Sequence, residues 1–149
     1  MTLEQQLTPA LKEAMRAKDS LKLEALRAIK SALLLAKTEA GGGAALSATD
    51  EIKLLQKLVK QRKDSAAIYR EQNRTDLAEP EEAQAEVIAA FLPQQLSDEE
   101  IQAKVKAVIA ELGASSMKDM GKVMGKANAA MAGQADGSRI AAAVKSLLS

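Results

Sequence analysis

The stretch Phe91-Leu92-Pro93-Gln94-Gln95-Leu96-Ser97-Asp98-Glu99-Glu100-Ile101 sets the organisation of the chain. Pro93 has no N–H and disfavours helical geometry at Leu92, so a helix arriving from the N-terminal side stops here. Four residues later a new helix has every start signal. Ser97 is placed to accept from the Glu100 N–H while Glu100 reaches back to the Ser97 N–H, a capping box. Leu96 and Ile101 occupy the two positions of a hydrophobic staple. Asp98 and Glu99 put negative charge at the positive end of the helix dipole. The chain therefore reads as a long first part, residues 1–94, and a shorter second part, residues 95–149.

Composition narrows both fold and chemistry. Of 149 residues 47% are hydrophobic, enough to build a core, while aromatics are 1%, namely Tyr69 and Phe91. The core must come from Leu, Ile, Val, Met and Ala, an alphabet that suits close-packed helices better than sheets. The expected fold is all-α. A net charge of +1 gives no global field toward nucleic acid or membrane, so any such contact must come from a local patch. The absence of cysteine excludes disulfides and thiolate chemistry. The absence of histidine removes the commonest general base and zinc ligand. No run approaches the roughly 20 apolar residues of a membrane span, and the start is polar from Thr2, without the pattern of a signal peptide. The expected setting is cytoplasmic, with no membrane partner.

Apolar spacing places seven helices. Leu3, Leu7, Leu11, Ala14 and Met15 form the first stripe. Pro9 either kinks that helix or, with Thr8 as cap, opens a shorter one. Asp19 or Ser20 caps the second helix, which uses Leu26, Ile29, Leu33 and Ala36 and runs to about Ala40. Gly41-Gly42-Gly43 then make a flexible loop. Ser47 starts the third helix, to about Asn73, whose seam of Ile52, Leu55, Val59, Arg62, Ala66 and Tyr69 resembles a coiled coil. The fourth, roughly Asp76 to Phe91, presents Leu77, Ala85, Ile88 and Leu92, with Pro80 early in it and an acidic outer side. The fifth uses Ile101, Val105, Val108 and Leu112 and stops at Gly113. The sixth is capped by Ser116, and the seventh follows Asp136 on Ile140, Val144 and Leu147. Short connections make neighbours antiparallel. The expected architecture is a four-helix N-terminal part followed by a three-helix C-terminal bundle.

Catalytic readings fail on the residues. Nucleophilic catalysis needs an activated nucleophile beside a base. Gly113-Ala114-Ser115-Ser116 is more simply a helix stop followed by a cap. Gly121-Lys122-Val123-Met124-Gly125-Lys126 has glycines one residue too close for a phosphate loop and Ala127 where a hydroxyl should stand. Those glycines suit close approach of another backbone. The glutamates from Glu79 to Glu86 read as a solvated helix face, not a metal site. No cofactor is expected.

Two basic features remain. Residues 53–74 hold Lys53, Lys57, Lys60, Arg62, Lys63, Arg70 and Arg74 against Asp64 and Glu71, seven cations to two anions and a net +5. Lys118, Lys122 and Lys126 are spaced four apart, so they share a helix face at a cost of a few tenths of a kcal/mol per pair. Such a face suits phosphate-backbone contacts. Without stacking aromatics, a structured RNA read by shape fits better than single strands. Met117, Met120, Met124 and Met131 crowd the same helix, as core or as an adaptable partner surface.

Several stretches together resemble one family. Leu26-Arg27-Ala28-Ile29-Lys30-Ser31-Ala32, Lys60-Gln61-Arg62-Lys63-Asp64-Ser65-Ala66 with Tyr69, and Arg74-Thr75-Asp76-Leu77-Ala78 resemble the YqeY-like (GatB/YqeY) family. So do the Phe91–Ser97 stretch, Met120–Gly125, and Gly133-Gln134-Ala135-Asp136-Gly137. Pro9 and Pro80 are local departures from its pattern. The family resembles the C-terminal tail of the B subunit of glutamine-dependent aminoacyl-tRNA amidotransferase. The resemblance implies a non-catalytic tRNA-binding accessory module, with tRNA and tRNA-amidation or translation proteins as partners. The family label of carbon–nitrogen ligase with glutamine as amido-N-donor belongs to the larger enzyme. Carried over by position, Lys118, Lys122, Lys126 and Arg139 are candidate nucleic-acid contacts in the tail-like bundle. Arg62, Lys63 and Arg74 are further candidates in the first part, where Arg62 also suits an ion pair with a glutamate of the fourth helix. Gly121, Gly125, Pro93 and Ser97 are expected to be structural. The alternative is a protein-interaction adaptor without a nucleic-acid role.

Overall fold

A computed structural model describes residues 2–39 and 46–149 of the chain. Among these residues the secondary structure is seven α-helices and one 3-10 turn, with no strand. The all-α reading holds. The expected triple-glycine loop lies outside the described residues. The chain divides into two compact units, Met1–Leu92 and Pro93–Ser149.

In the first unit, α1 is Leu3–Arg16, α2 is Ser20–Glu39, α3 is Ala48–Glu71 and α4 is Thr75–Ala89. Thr2 and Gln5 form a capping box at the start of α1, and Pro9 lies inside this single helix. The structure thus excludes a Thr8 cap. The α1 start is also held from a distance, because the Leu3 N–H donates to Glu51 Oε2 on α3 at 3.0 Å. Asp19, not Ser20, caps α2: its Oδ1 accepts from the Lys22 N–H at 3.1 Å. Lys37 near the end of α2 pairs with Glu4 at the start of α1, as antiparallel neighbours must. The core joins Leu3 and Leu7 to Leu26, Ile29 and Leu33, then to Leu55, Val59 and Ile88. Met15 and Leu77, expected on buried faces, are exposed, and Ala78 is buried in place of Leu77.

The α4 helix ends at Ala89, two residues sooner than expected. Phe91 and Leu92 donate to the carbonyls of Ile88 and Ala89 in tighter i→i−3 turns before Pro93. The residue before a proline is pushed out of helical geometry, so the last turn narrows and ends.

In the second unit, α5 is Asp98–Leu112, α6 is Met120–Ala130 and α7 is Gly137–Leu148, with a 3-10 turn at Met117–Asp119. All three helices pack on one another. The capping box at Ser97 is present: Ser97 Oγ accepts from the Glu100 N–H and Glu100 Oε1 accepts from the Ser97 N–H, each at 3.2 Å. Leu96 and Ile101 are both buried, completing the staple. Gly113 closes α5 in the left-handed region at φ 65°. Val105, Val123, Met131, Ile140 and Val144 form the centre of this core. Met131 is buried, and Met120 and Met124 pack against the core, which gives them the structural role. Only the first methionine of that run, Met117, is strongly exposed. Leu112, expected inside, is also exposed.

Candidate nucleic-acid interface

The structure separates the seven cations singled out from sequence into free and engaged groups. Lys118 sits in the 3-10 turn rather than on α6, because Ser116 caps that turn, its Oγ accepting from the Lys118 N–H at 3.4 Å. Asp119 Oδ2 accepts from the Ser115 N–H at 3.1 Å and orders the entry. Lys118 and Lys122 are exposed. Among the described residues neither has a carboxylate within ion-pair distance. Lys126 differs: it is half-buried and paired with Glu111 of α5. The expected ridge of three equivalent lysines on one helix is therefore two free lysines and one that ties α6 to α5.

The three candidate arginines, Arg139, Arg62 and Arg74, are all engaged. Arg139 Nη2 donates to Asp98 Oδ1 at 2.7 Å and to the Leu96 carbonyl at 3.1 Å, while Nε donates to the same Asp98 oxygen at 3.2 Å. It is a brace between α7 and the start of α5. Arg62 does not pair with a glutamate. Its Nε donates to Gln84 Oε1 at 3.2 Å and its Nη1 to the Leu58 carbonyl at 3.3 Å. The polar position in the α3 seam thus meets the one buried polar side chain among the described residues. Arg74 forms a two-point contact with Asp76, Nε to Oδ1 at 3.1 Å and Nη2 to Oδ2 at 3.0 Å. Arg70 grips Glu82 in the same fashion. Lys63 stays exposed and, among the described residues, has no ion-pair partner.

Hydrogen bonds from Arg74 hold the Asp76 carboxyl below the ordinary carboxylate range. The bond from Arg70 does the same for Glu82, and that from Lys37 for Glu4. The arginines move the other way, each favoured in its charged form by its carboxylate.

Gly121 and Gly125 do not make the expected packing contact. Both are exposed, and a Cβ added at either meets nothing within 4 Å. Gln84, Asp98, Glu82 and Glu111, the partners that immobilise the cations, were not legible as such, since each lies across a helix–helix contact. Among the described residues no group of three or more acidic, His or Cys side chains is placed to hold a metal ion.

A family model described as Yqey-like protein matches residues 4–148. The chain belongs to the YqeY-like family. The match runs through both units and includes the 91–101 stretch, the α3 segment and the Met120–Gly125 segment. Two relatives share the name Altered inheritance of mitochondria protein 41, mitochondrial. The one from Lachancea thermotolerans is 38% identical over 111 residues, covering 71% of this chain and 57% of the relative. The one from Clavispora lusitaniae is 36% identical over 107 residues, covering 70% of this chain and 61% of the relative. This YqeY-like chain thus spans about three fifths of the length of those relatives. Their names carry a mitochondrial designation, which does not match the cytoplasmic expectation. No described helix is long and apolar enough to cross a membrane.

Proposed function

We propose that this YqeY-like chain is a non-catalytic accessory module that binds structured RNA, tRNA in the first instance, by backbone contacts from its C-terminal unit. The observation that carries the reading is the pair Lys118 and Lys122, exposed and, among the described residues, without carboxylate partners, while neighbouring Lys126 and Arg139 are engaged within the unit. Unpaired lysines on a folded scaffold release counterions when they meet phosphates, and that term gives affinity without sequence choice. The resemblance to the amidotransferase tail supports tRNA as the ligand and tRNA-amidation or translation proteins as partners. The lack of His and Cys supports a binding role over chemistry. The relatives' name speaks of mitochondrial inheritance, and a tRNA-handling accessory in an organelle is compatible with it.

The test is a salt titration of tRNA binding. The double variant Lys118→Gln/Lys122→Gln is expected to flatten the dependence of log K on log salt by roughly 1 to 2. Lys126→Gln is expected to do less, because its ammonium is already paired. An unchanged slope in the double variant rejects this face. Partner capture that survives nuclease and high salt would favour the adaptor reading instead. Glutaminase or amidation turnover lost on changing Ser115 or Ser116 would overturn the non-catalytic assignment.

A further inference from the structure

We infer that α3 carries a second phosphate-contact surface, made by Lys53, Lys57 and Lys60 with Lys63 beside them; this rests on the RNA-binding reading above. Spacings of four and three residues set the first three side chains on one face of the helix. The opposite face is turned to the core by Leu55, Val59 and Ala66, so the row is held outward by packing. All four lysines are exposed, and among the described residues none has a carboxylate within ion-pair distance. The remaining cations of the same basic segment behave differently. Arg62 is bonded to Gln84, Arg70 to Glu82 and Arg74 to Asp76. The unneutralised charge of the segment is thereby gathered into residues 53–63.

That row is about 15 Å long at a rise of about 1.5 Å per residue. A duplex presents roughly one phosphate per 1.7 Å of axis, so several phosphates fall within reach. Asp50 and Glu51 lie before the row and Asp64 after it, which limits the footprint to this length. Like charges at these spacings cost helix stability, so the row is not there to hold the fold. A membrane surface fits poorly. An interfacial helix needs bulky apolar residues beside its lysines, and the strongly exposed apolar residue of α3, Ile68, lies beyond the row. No aromatic side chain stands in the row for base stacking, which leaves the sugar–phosphate backbone as the ligand feature.

The experiment uses the full chain and compares Lys53→Gln/Lys57→Gln/Lys60→Gln with Lys118→Gln/Lys122→Gln. The probes are a 20-base-pair duplex RNA, unfractionated tRNA and phosphatidylserine vesicles, at about 50 and about 200 mM salt. Three lost contacts at about 0.9 each should reduce the salt slope by about 2.7, so the affinity lost over this fourfold change shrinks by roughly 40-fold. The melting temperature of the α3 variant should stay close to that of the wild type, because the repulsion removed between the lysines offsets the attraction lost to Asp50 and Asp64; this separates lost binding from lost folding. An unchanged RNA slope in the α3 variant overturns the inference, and a flattened slope in the Lys118/Lys122 variant at the same time leaves the earlier reading standing. A flattened slope in the α3 variant alone upholds the inference and removes the C-terminal face. No RNA binding by the wild type overturns both. Loss of vesicle binding with RNA binding intact overturns the inference in favour of a lipid surface.

Discussion

The helix that begins at Asp98 and the helix that begins at Thr75 start in opposite ways. At α5 the signals are local: Ser97 and Glu100 exchange hydrogen bonds, and Leu96 packs with Ile101 beneath them. At α4 the residue before the helix, Arg74, makes no side-chain cap, and its guanidinium is bound to Asp76. The α4 start is instead inherited from the end of α3. Asn73 stands in the left-handed region at φ 58°, its N–H donates to the Arg70 carbonyl, and the Arg74 N–H donates to Tyr69. This is a Schellman closure, with Asn where Gly is commonest. A helix can therefore be launched by its own first four residues or by the way its predecessor ends. Only the first kind is visible in a short window of sequence.

The largest expected effect tests the staple under α5. Ile101→Ala removes a fully buried side chain and should cost about 2–5 kcal/mol, measured by denaturant unfolding. The corresponding buried position of α4, Ala78, has almost no side chain to lose, so its start should respond to backbone changes instead. Next comes the cap. Ser97→Ala should cost about 1 kcal/mol, whereas Asp76→Asn near neutral pH should cost less, and an equal cost would erase the contrast between the two starts.

The helix ends offer a smaller and reversed comparison. Gly113 has open space around its Cβ position but a φ of 65°, so Gly113→Ala should destabilise by about 1 kcal/mol through backbone strain alone. Asn73→Gly should be near neutral or slightly stabilising, because asparagine already tolerates that conformation. The smallest effect is electrostatic. Asp76, Glu82 and Glu4 have carboxyls held low in the folded chain, so their contribution is present above the ordinary carboxylate range. It fades as pH falls through the depressed folded values. Glu82→Gln should lower stability slightly near neutral pH and flatten the acid limb of the unfolding profile by the same small amount, since the pair with Arg70 is solvent-exposed.

Much of the fold is legible because its signals act within one turn. The Ser97 box, the Asp136 cap and the Gly113 stop need only residues within four positions of each other. The buried stripes followed the helical period except near helix ends, where Met15, Leu77 and Leu112 are exposed while Ala14 and Ala78, next to the first two, are buried. The candidate site was less legible. Charge and spacing located the lysines, but whether a cation is free depends on what faces it. Arg139 meets Asp98 at a separation of 41 residues, and Arg62 meets Gln84 rather than a glutamate. Glycines four apart suggested close packing at Gly121 and Gly125, yet among the described residues a Cβ at either would meet nothing within 4 Å.

By itself the sequence determined the all-α class, the break before Ser97, the main caps and the family, since each rests on residue chemistry and short-range hydrogen bonding. Tertiary structure decided which cations remain unpaired, because a carboxylate neutralises a lysine or arginine only when packing brings their helices within a few ångströms. The same packing chose Ala78 over Leu77 for the interior and made Arg139 a brace instead of a free contact.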